Sequence, residues 1–307
     1  MGFLHRKQIR FGRISKFCRS ARTVAICVVL CALSVPAFGV VITDTNYSGY
    51  VTGDGNFTGV AEVLFNYTGR SGTYLCSGAL ISNYQLLTAG HCANGAENWS
   101  VIFETPSGAT TVAVTGALVH PDYSPRPSPY TLLSQYDIAI LTLASMAPND
   151  ASRYMLATTF DGDFPVTPID IVGFGLGGSA ITGVQQVGVR RHAVNTIEGR
   201  YPFPDSPLRI TMMFGLEPGN YGLISGGDSG SPAFYNGSII GVGSFSNLPS
   251  FGGYSTSVTY ESGHTSLLDP ATGNWVAGLV SPEPGTIGLL AAGLAALILL
   301  SRRRKPL

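Results

Sequence analysis

Gly226-Gly227-Asp228-Ser229-Gly230-Ser231-Pro232 is the stretch on which the reading of this chain turns. A serine flanked by glycines and followed by proline is not how a sequence builds core. Glycine opens backbone angles closed to other residues, and here it lets the N–H groups of Gly227 and Ser229 point at one spot. Such a pocket stabilises an oxyanion while the Ser229 hydroxyl attacks a carbonyl. On these seven residues alone, a tight Gly/Ser turn between strands would read the same way.

Two upstream motifs separate those readings. The first is Leu86-Leu87-Thr88-Ala89-Gly90-His91-Cys92, at the end of an alternating run that begins at Cys76. A neutral imidazole is the usual general base beside a serine, because its ordinary pKa lies near working pH. The second is Tyr136-Asp137-Ile138-Ala139-Ile140-Leu141. A lone Asp ahead of an apolar run is expected only where it has a buried partner, and orienting an imidazole is such a role. The separations are 46 residues from His91 to Asp137 and 92 from Asp137 to Ser229. The order His, Asp, Ser is that of a chymotrypsin-type triad, not the subtilisin or α/β-hydrolase order.

On these three motifs the chain resembles the trypsin/chymotrypsin-like serine endopeptidases, from about Gly59 to about Val258. The resemblance implies an all-β fold of two six-stranded antiparallel Greek-key barrels, with the site in the cleft between them. His91 and Asp137 would come from the first barrel and Ser229 from the second. It implies peptide-bond hydrolysis through an acyl-enzyme, with Gly227 and Ser229 as the oxyanion hole and no metal or cofactor. Its primary substrate pocket maps onto Leu223, onto Ser244, Phe245 and Ser246, and onto Gly253 in the opposite wall. Leu223 stands where an enzyme that cleaves after basic residues would carry Asp. An apolar floor disfavours Arg and Lys, whose charge would be buried unpaired, so the expectation is an apolar or aromatic preference.

Two departures from the family stand out. Activation often cuts before an Ile-Val-Gly-Gly start, but the stretch taken to correspond, Phe57-Thr58-Gly59-Val60-Ala61, has no Lys or Arg before it. The disulfide that commonly braces the serine loop is also missing, since no Cys lies beyond Cys92.

The formal net charge of zero hides an uneven distribution. Seven of the 18 basic residues lie in Met1–Arg22 and four in Arg302–Lys305, while 17 of the 18 acidic residues lie between 40 and 281. The seven remaining cations are all arginines, so the body carries −10. An acidic body without a basic patch excludes nucleic acid as the expected partner.

The ends read as addresses. Met1–Arg22 is basic, Thr23–Leu33 is apolar, and small residues precede Val40, the layout of a secretory signal spanning 1–39. The apolar run is short for an uncleaved membrane anchor. At the other end, residues 282–307 hold Pro282-Glu283-Pro284, a run without charge from Gly285 to Leu300, and Arg302-Arg303-Arg304-Lys305. Sixteen residues of helix span about 24 Å, marginal for a bilayer of about 30 Å. This stretch resembles the PEP-CTERM sorting tail of Gram-negative bacteria, which implies an exosortase-like partner and a transiently anchored protein of the envelope or exterior. An ordinary C-terminal anchor shares everything but Pro282-Glu283-Pro284.

With the signal removed, only Cys76 and Cys92 remain. In an exported chain they read as one disulfide, which the resemblance sets beside His91. A free thiol or a metal site finds no second Cys/His pair to support it.

Between the ends, residues 40–58 read as a lead-in, 59–155 as the first barrel, 156–262 as the second and 263–281 as a spacer. Short alternating runs separated by turn clusters are expected at Ala61–Phe65, Tyr74–Ile81, Thr110–Val119, Ile138–Leu143 and Ile169–Val172. Others are Leu208–Met213, Ala233–Tyr235, Ile239–Phe245 and Tyr254–Tyr260, and 39 glycines fit such a strand-and-turn architecture. His120 is expected to be structural and His192 to lie on a solvated face; His264 has no evident partner.

The leading expectation is an exported serine endopeptidase. From another class comes a catalytically weak or inactive protease-like binding or matrix protein of the envelope. An esterase would use the same three residues but fits their order less well.

Overall fold

Period-two alternation builds the first half of the molecule, and buried polar residues hold much of the second. The computed structural model describes residues 41–42, 55–125, 134–157, 159–162, 167–179, 183–186, 188–197, 199–201, 209–214, 222–246 and 260–280. β1 (Val41–Ile42) comes first in the chain and pairs in the second half; the strands of the first half are β2 (Val60–Tyr67), β3 (Tyr74–Leu80), β4 (Gln85–Thr88), β5 (Ala96–Thr105), β6 (Gly108–Val119) and β7 (Ala139–Leu143). Those of the second are β8 (Pro168–Gly173), β9 (Gly177–Ser179), β10 (Gly183–Gln186), β11 (Arg191–Thr196), β12 (Gly199–Tyr201) and β13 (Arg209–Phe214). They continue with β14 (Gly222–Leu223), β15 (Pro232–Tyr235), β16 (Ser238–Ser246) and β17 (Tyr260–Ser266). A helical turn, α1 (Gly90–Ala93), follows β4, and one longer helix, α2 (Pro270–Leu279), follows β17.

Six strands close into a barrel in the order β2-β3-β4-β7-β6-β5, all paired antiparallel. In β2, Ala61, Val63 and Phe65 point inward, as the two-residue period dictates, and Val60 is buried on the other face. Val101 and Phe103 of β5 and Ile140 and Leu141 of β7 fill the same core. Burying a side chain of this size contributes about 2–3 kcal/mol over leaving it exposed, and closure leaves no sheet edge open.

The second half agrees with the implied two-part, all-β fold. Its described strands form a seven-stranded sheet, β11-β8-β15-β16-β17-β13-β12, and a four-stranded one, β10-β9-β1-β14. A smaller apolar cluster of Ile169, Ile171, Leu223, Ile224, Ala233 and Ile240 packs inside. The chain crosses between halves near Tyr154, whose N–H donates to Leu80 of the first, and Ala157, whose N–H donates to Ile239 of the second.

Three segments differ from their sequence reading. The lead-in contributes β1, which lies between β9 and β14 with Val41 opposite Leu223. The stretch read as a spacer holds the end of β17 and all of α2. That helix is started by Pro270 and capped by Asp269, whose side chain accepts from the Ala271 N–H. Val276 is fully buried against the barrel core, and Gln85 Nε2 donates to the Leu279 carbonyl at 2.7 Å. The last strand runs over Tyr260–Ser266, where a strand was expected over Tyr254–Tyr260. Polar β17 escaped notice because Ser262, His264, Thr265 and Ser266 are buried without being apolar.

The signal segment, Gly253 and the tail with Pro282, Glu283 and Pro284 lie outside the described residues. Among the described residues no helix is long and apolar enough to cross a membrane.

Candidate active site

His91 sits on α1, where the chain leaves β4 of the barrel. The glycine before it is required by space. A Cβ on Gly90 would stand 2.9 Å from the Tyr123 ring, 3.0 Å from Ile138 N and 3.2 Å from Asp137 Oδ1. That closeness lets Asp137 grip His91 twice, accepting from its backbone N–H at 2.8 Å and pairing with ring Nδ1 at 2.8 Å.

Asp137 is aimed by an unusual backbone. Tyr136 has φ +47°, a left-handed conformation that costs a non-glycine residue on the order of 1–2 kcal/mol. His120 stacks on its ring at 4.6 Å, and Trp275 of α2 packs on the other partner of that stack at 4.8 Å from His120. His120 is therefore structural in the geometry seen: its Nδ1 accepts from the Asp122 N–H.

The Asp137 carboxylate is buried, yet every observed contact favours its charge. Oδ2 also accepts from Ser244 Oγ at 2.6 Å, while Thr265 Oγ1 donates to the Asp137 carbonyl. Burial alone would raise the pKa of Asp137; the charge of His91 and the hydrogen bonds from His91 and Ser244 hold it below the usual carboxylate value. For His91, burial by itself lowers the pKa, and the charge and hydrogen bond of Asp137 more than offset that, leaving it raised.

Ser77 of β3 docks the Ser229 loop onto the first half. Its N–H donates to the Ser229 carbonyl at 2.7 Å and its hydroxyl to the Gly227 carbonyl at 3.1 Å. The same hydroxyl accepts from the Phe174 N–H at 3.0 Å. The Cys76–Cys92 disulfide flanks this contact, with Cys92 Sγ 3.8 Å from the Ser229 carbonyl. Gly230 has φ +85°, and a Cβ there would collide at 2.2 Å with both the Ser77 carbonyl and Thr88 Oγ1. Gly227, at φ +96°, turns the chain so that its carbonyl faces Ser77. Among the described residues neither the Gly227 N–H nor the Ser229 N–H donates to a protein acceptor, and no hydrogen bond joins the Ser229 hydroxyl to the His91 ring.

Asp228 holds the loop from inside. Its oxygens accept from the Gly175 N–H at 2.7 Å, the Ser225 N–H at 2.9 Å and the Ser225 hydroxyl at 3.0 Å. Burial pushes its pKa up to about 6, against those hydrogen bonds and the charge of Arg191.

A cleft of about 620 Å³ opens on His91, with Tyr67, Arg70, Tyr123, Ser244 and Phe245 in its walls. Tyr67 donates its hydroxyl to the His91 carbonyl at 2.7 Å, and the Arg70 guanidinium stands 5.3 Å over the Tyr67 ring. Of the pocket residues read from sequence, Phe245 lines this cleft and Ser246 follows it on β16. Ser244 lines it too, but its hydroxyl is committed to Asp137. Leu223 is fully buried in the apolar cluster of the second half. His192 is not merely solvated: it pairs with Asp170 at 2.6 Å and packs on Phe57. The grouping of Cys76, His91 and Cys92 within 4.8 Å suits no metal, because both sulfurs are in the disulfide.

Sequence reasoning missed Ser77 and Thr265. The only signal for Ser77 was a hydroxyl in the middle of a buried run, next to Cys76.

Comparison with known proteins agrees with this geometry. Residues 51–262 match the family model Trypsin, and residues 282–305 match the PEP-CTERM protein-sorting motif. Trypsin, alkaline B, of Manduca sexta is 29% identical over 204 residues, which are 61% of this chain and 75% of that protein. Trypsin, alkaline C, of the same species is 29% identical over 221 residues, 65% of this chain and 81% of its own. An HL collagenase structure superposes with a TM-score of 0.54 at 19% identity, over 75% of this chain and 96% of that one; at this identity the likeness is one of fold. With a family match across well over half its length, and with a PEP-CTERM sorting motif at its end, the chain belongs to the trypsin family.

Proposed function

We propose that the chain is an exported serine endopeptidase that hydrolyses peptide bonds through an acyl-enzyme on Ser229. The observation that carries this reading is the buried Asp137 bound to both the backbone and Nδ1 of His91. That bond fixes the tautomer and leaves Nε2 to serve the hydroxyl. Ser229 Oγ attacks the carbonyl carbon, and His91 takes its proton. The imidazolium, steadied by Asp137, gives that proton to the leaving amine, and water then repeats the sequence to release the acid. The uncommitted N–H groups of Gly227 and Ser229 receive the oxyanion, where one donor is typically worth about 3 kcal/mol. The contact between Ser229 and His91 closes when substrate binds, as catalytic hydrogen bonds often do.

Specificity is not of the kind that cleaves after Arg or Lys, because Leu223 replaces the carboxylate such a pocket needs. Residues 1–39 direct export and are removed after Gly39. The C-terminal motif addresses the chain to the envelope of a Gram-negative bacterium, where an exosortase-like enzyme reads the tail and the apolar segment anchors it transiently.

A protease-like binding or matrix protein is the second reading, favoured by the unmade bond between Ser229 and His91. A fluorophosphonate probe separates the two. Labelling and peptidase activity lost together in a folded Ser229→Ala variant support the enzyme. Absence of labelling in the mature wild-type protein supports the binder, and activity retained in Ser229→Ala removes this serine from the mechanism.

A further inference from the structure

Among the described residues, Ser231 Oγ, Ser262 Oγ and both ring nitrogens of His264 are buried polar atoms without a hydrogen-bond partner. All three residues are 0% exposed. Natural cores rarely leave such groups unpaired, since each costs stability without return, so a cluster of them calls for a ligand.

Their placement points to one. Strand alternation puts Ser262 and His264 on the same face of β17. The opposite face serves the site already described: Thr265 reaches Asp137, and a Cβ on Gly263 would meet the Phe245 ring at 1.9 Å. Register sets Ser262 across from Ser246 and His264 across from Gly243, and directly opposed residues share a face. On that face the space of the missing Gly243 side chain is bounded by Ser231 Oγ, the Asp228 carbonyl and Ile224. Gly243 is in turn bonded to the Ser229 loop, its carbonyl accepting from the Gly230 N–H and its N–H donating to the Ser231 carbonyl. The polar cluster thus lies directly behind the Ser229 loop, with half-buried Ser246 opposite Ser262 on the same face and next in the chain to Phe245, which lines the cleft.

We propose that Ser231, Ser262 and His264 form the hydrogen-bonding end of the subsite for the residue whose carbonyl Ser229 attacks, and that they select a side-chain carboxamide, that of Gln or Asn. This rests on the endopeptidase reading and replaces the apolar preference expected from Leu223. A neutral imidazole offers one donor and one acceptor, and each hydroxyl offers either. A carboxamide presents both complements. Burial holds the His264 pKa down to about 4, so the ring is neutral at working pH. A carboxylate has no donor for the ring's lone pair, and a leucine leaves all four atoms unpaired. Sites built to bond a polar group discriminate steeply against analogues that lack it.

The test uses the mature protein and peptides that differ only at the attacked residue: Gln, Glu, Leu or Arg. kcat/KM is measured on the active protein, and Kd is measured on Ser229→Ala, where turnover plays no part. Gln should exceed Leu by about 100-fold in kcat/KM. Ser262→Ala, alone and on the Ser229→Ala background, should cut the Gln-to-Leu ratio by about 10-fold. His264→Phe, where it folds, should reverse the order; Ser262→Ala decides the matter if it does not.

Equal or better use of Leu, a preference for Glu over Gln, an unchanged ratio in Ser262→Ala, or no peptide binding at all would overturn the assignment. Tighter binding of Gln peptide by Ser229→Ala, together with no hydrolysis or probe labelling by the wild-type protein, would keep this subsite and discard the enzyme reading. Hydrolysis that favours Leu would do the reverse.

Discussion

Two buried polar sites in this molecule are built in opposite ways. In the first, Asp137 is enclosed with its partners: His91 twice, Ser244 and, on its carbonyl, Thr265. In the second, Ser231, Ser262 and His264 are enclosed with none among the described residues. A satisfied network is rigid and suits a group that must not move. An unsatisfied one suits a surface completed from outside. The closed barrel is built to orient an imidazole, and the open sheet beside it to receive something.

The largest break in this contrast is at Asp137. Asp137→Asn keeps the shape but loses the grip on the imidazole tautomer, and kcat should fall about 10⁴-fold while the fold survives. Peptidase assays beside circular dichroism would check it. Reducing the rigidity of the first half by Cys76→Ala with Cys92→Ala opens a loop of 16 residues. That should cost about 3 kcal/mol in urea unfolding, with a larger m-value because the denatured state loses its cross-link.

Ser77→Ala is the sharper probe of the seam. It leaves the Phe174 N–H and the Gly227 carbonyl short of a partner, and about 2 kcal/mol of stability should go with them. Fluorophosphonate labelling should slow in step, since the Ser229 loop loses its clip. The smallest effect is on the pH profile. A raised His91 pKa means that the base is protonated and idle until pH rises past the ordinary histidine value of about 6.5. The acid limb of kcat/KM should therefore lie above that value, and in Asp137→Asn the residual activity should titrate lower, the Asp having supplied the raising charge.

The sequence made the first half legible and the second only in part, for a physical reason. β2 and β6 alternate apolar with polar, β7 is a short apolar run, and Val63 or Leu141 declares its burial by type. β11 and β17 bury Arg191, Asn195, Ser262 and His264, so their hydropathy reads as surface. Glycine-flanked Ser229, His91 and Asp137 could be picked out because their chemistry demands particular neighbours at particular places. Ser77 could not, because a serine in a strand announces nothing about which backbone across the seam it will hold. Nor could α2 be seen, with Pro and two glycines in ten residues; its helical state rests on Asp269, on Thr272 bonded to the Ser266 carbonyl, and on the burial of Val276.

That helix also decides how the protein is handled. Its last turn is fastened to β4 through Gln85, its Trp275 leans on His120, and Pro282 comes only three residues after Leu279. Three residues reach about 10 Å at full stretch. A force applied to the sorting tail is therefore delivered almost without slack to the element that steadies Tyr136 and Asp137, so the tail is less a leash than a short handle on the catalytic half. A cut beyond Pro284 would leave the helix, and everything it props, in place.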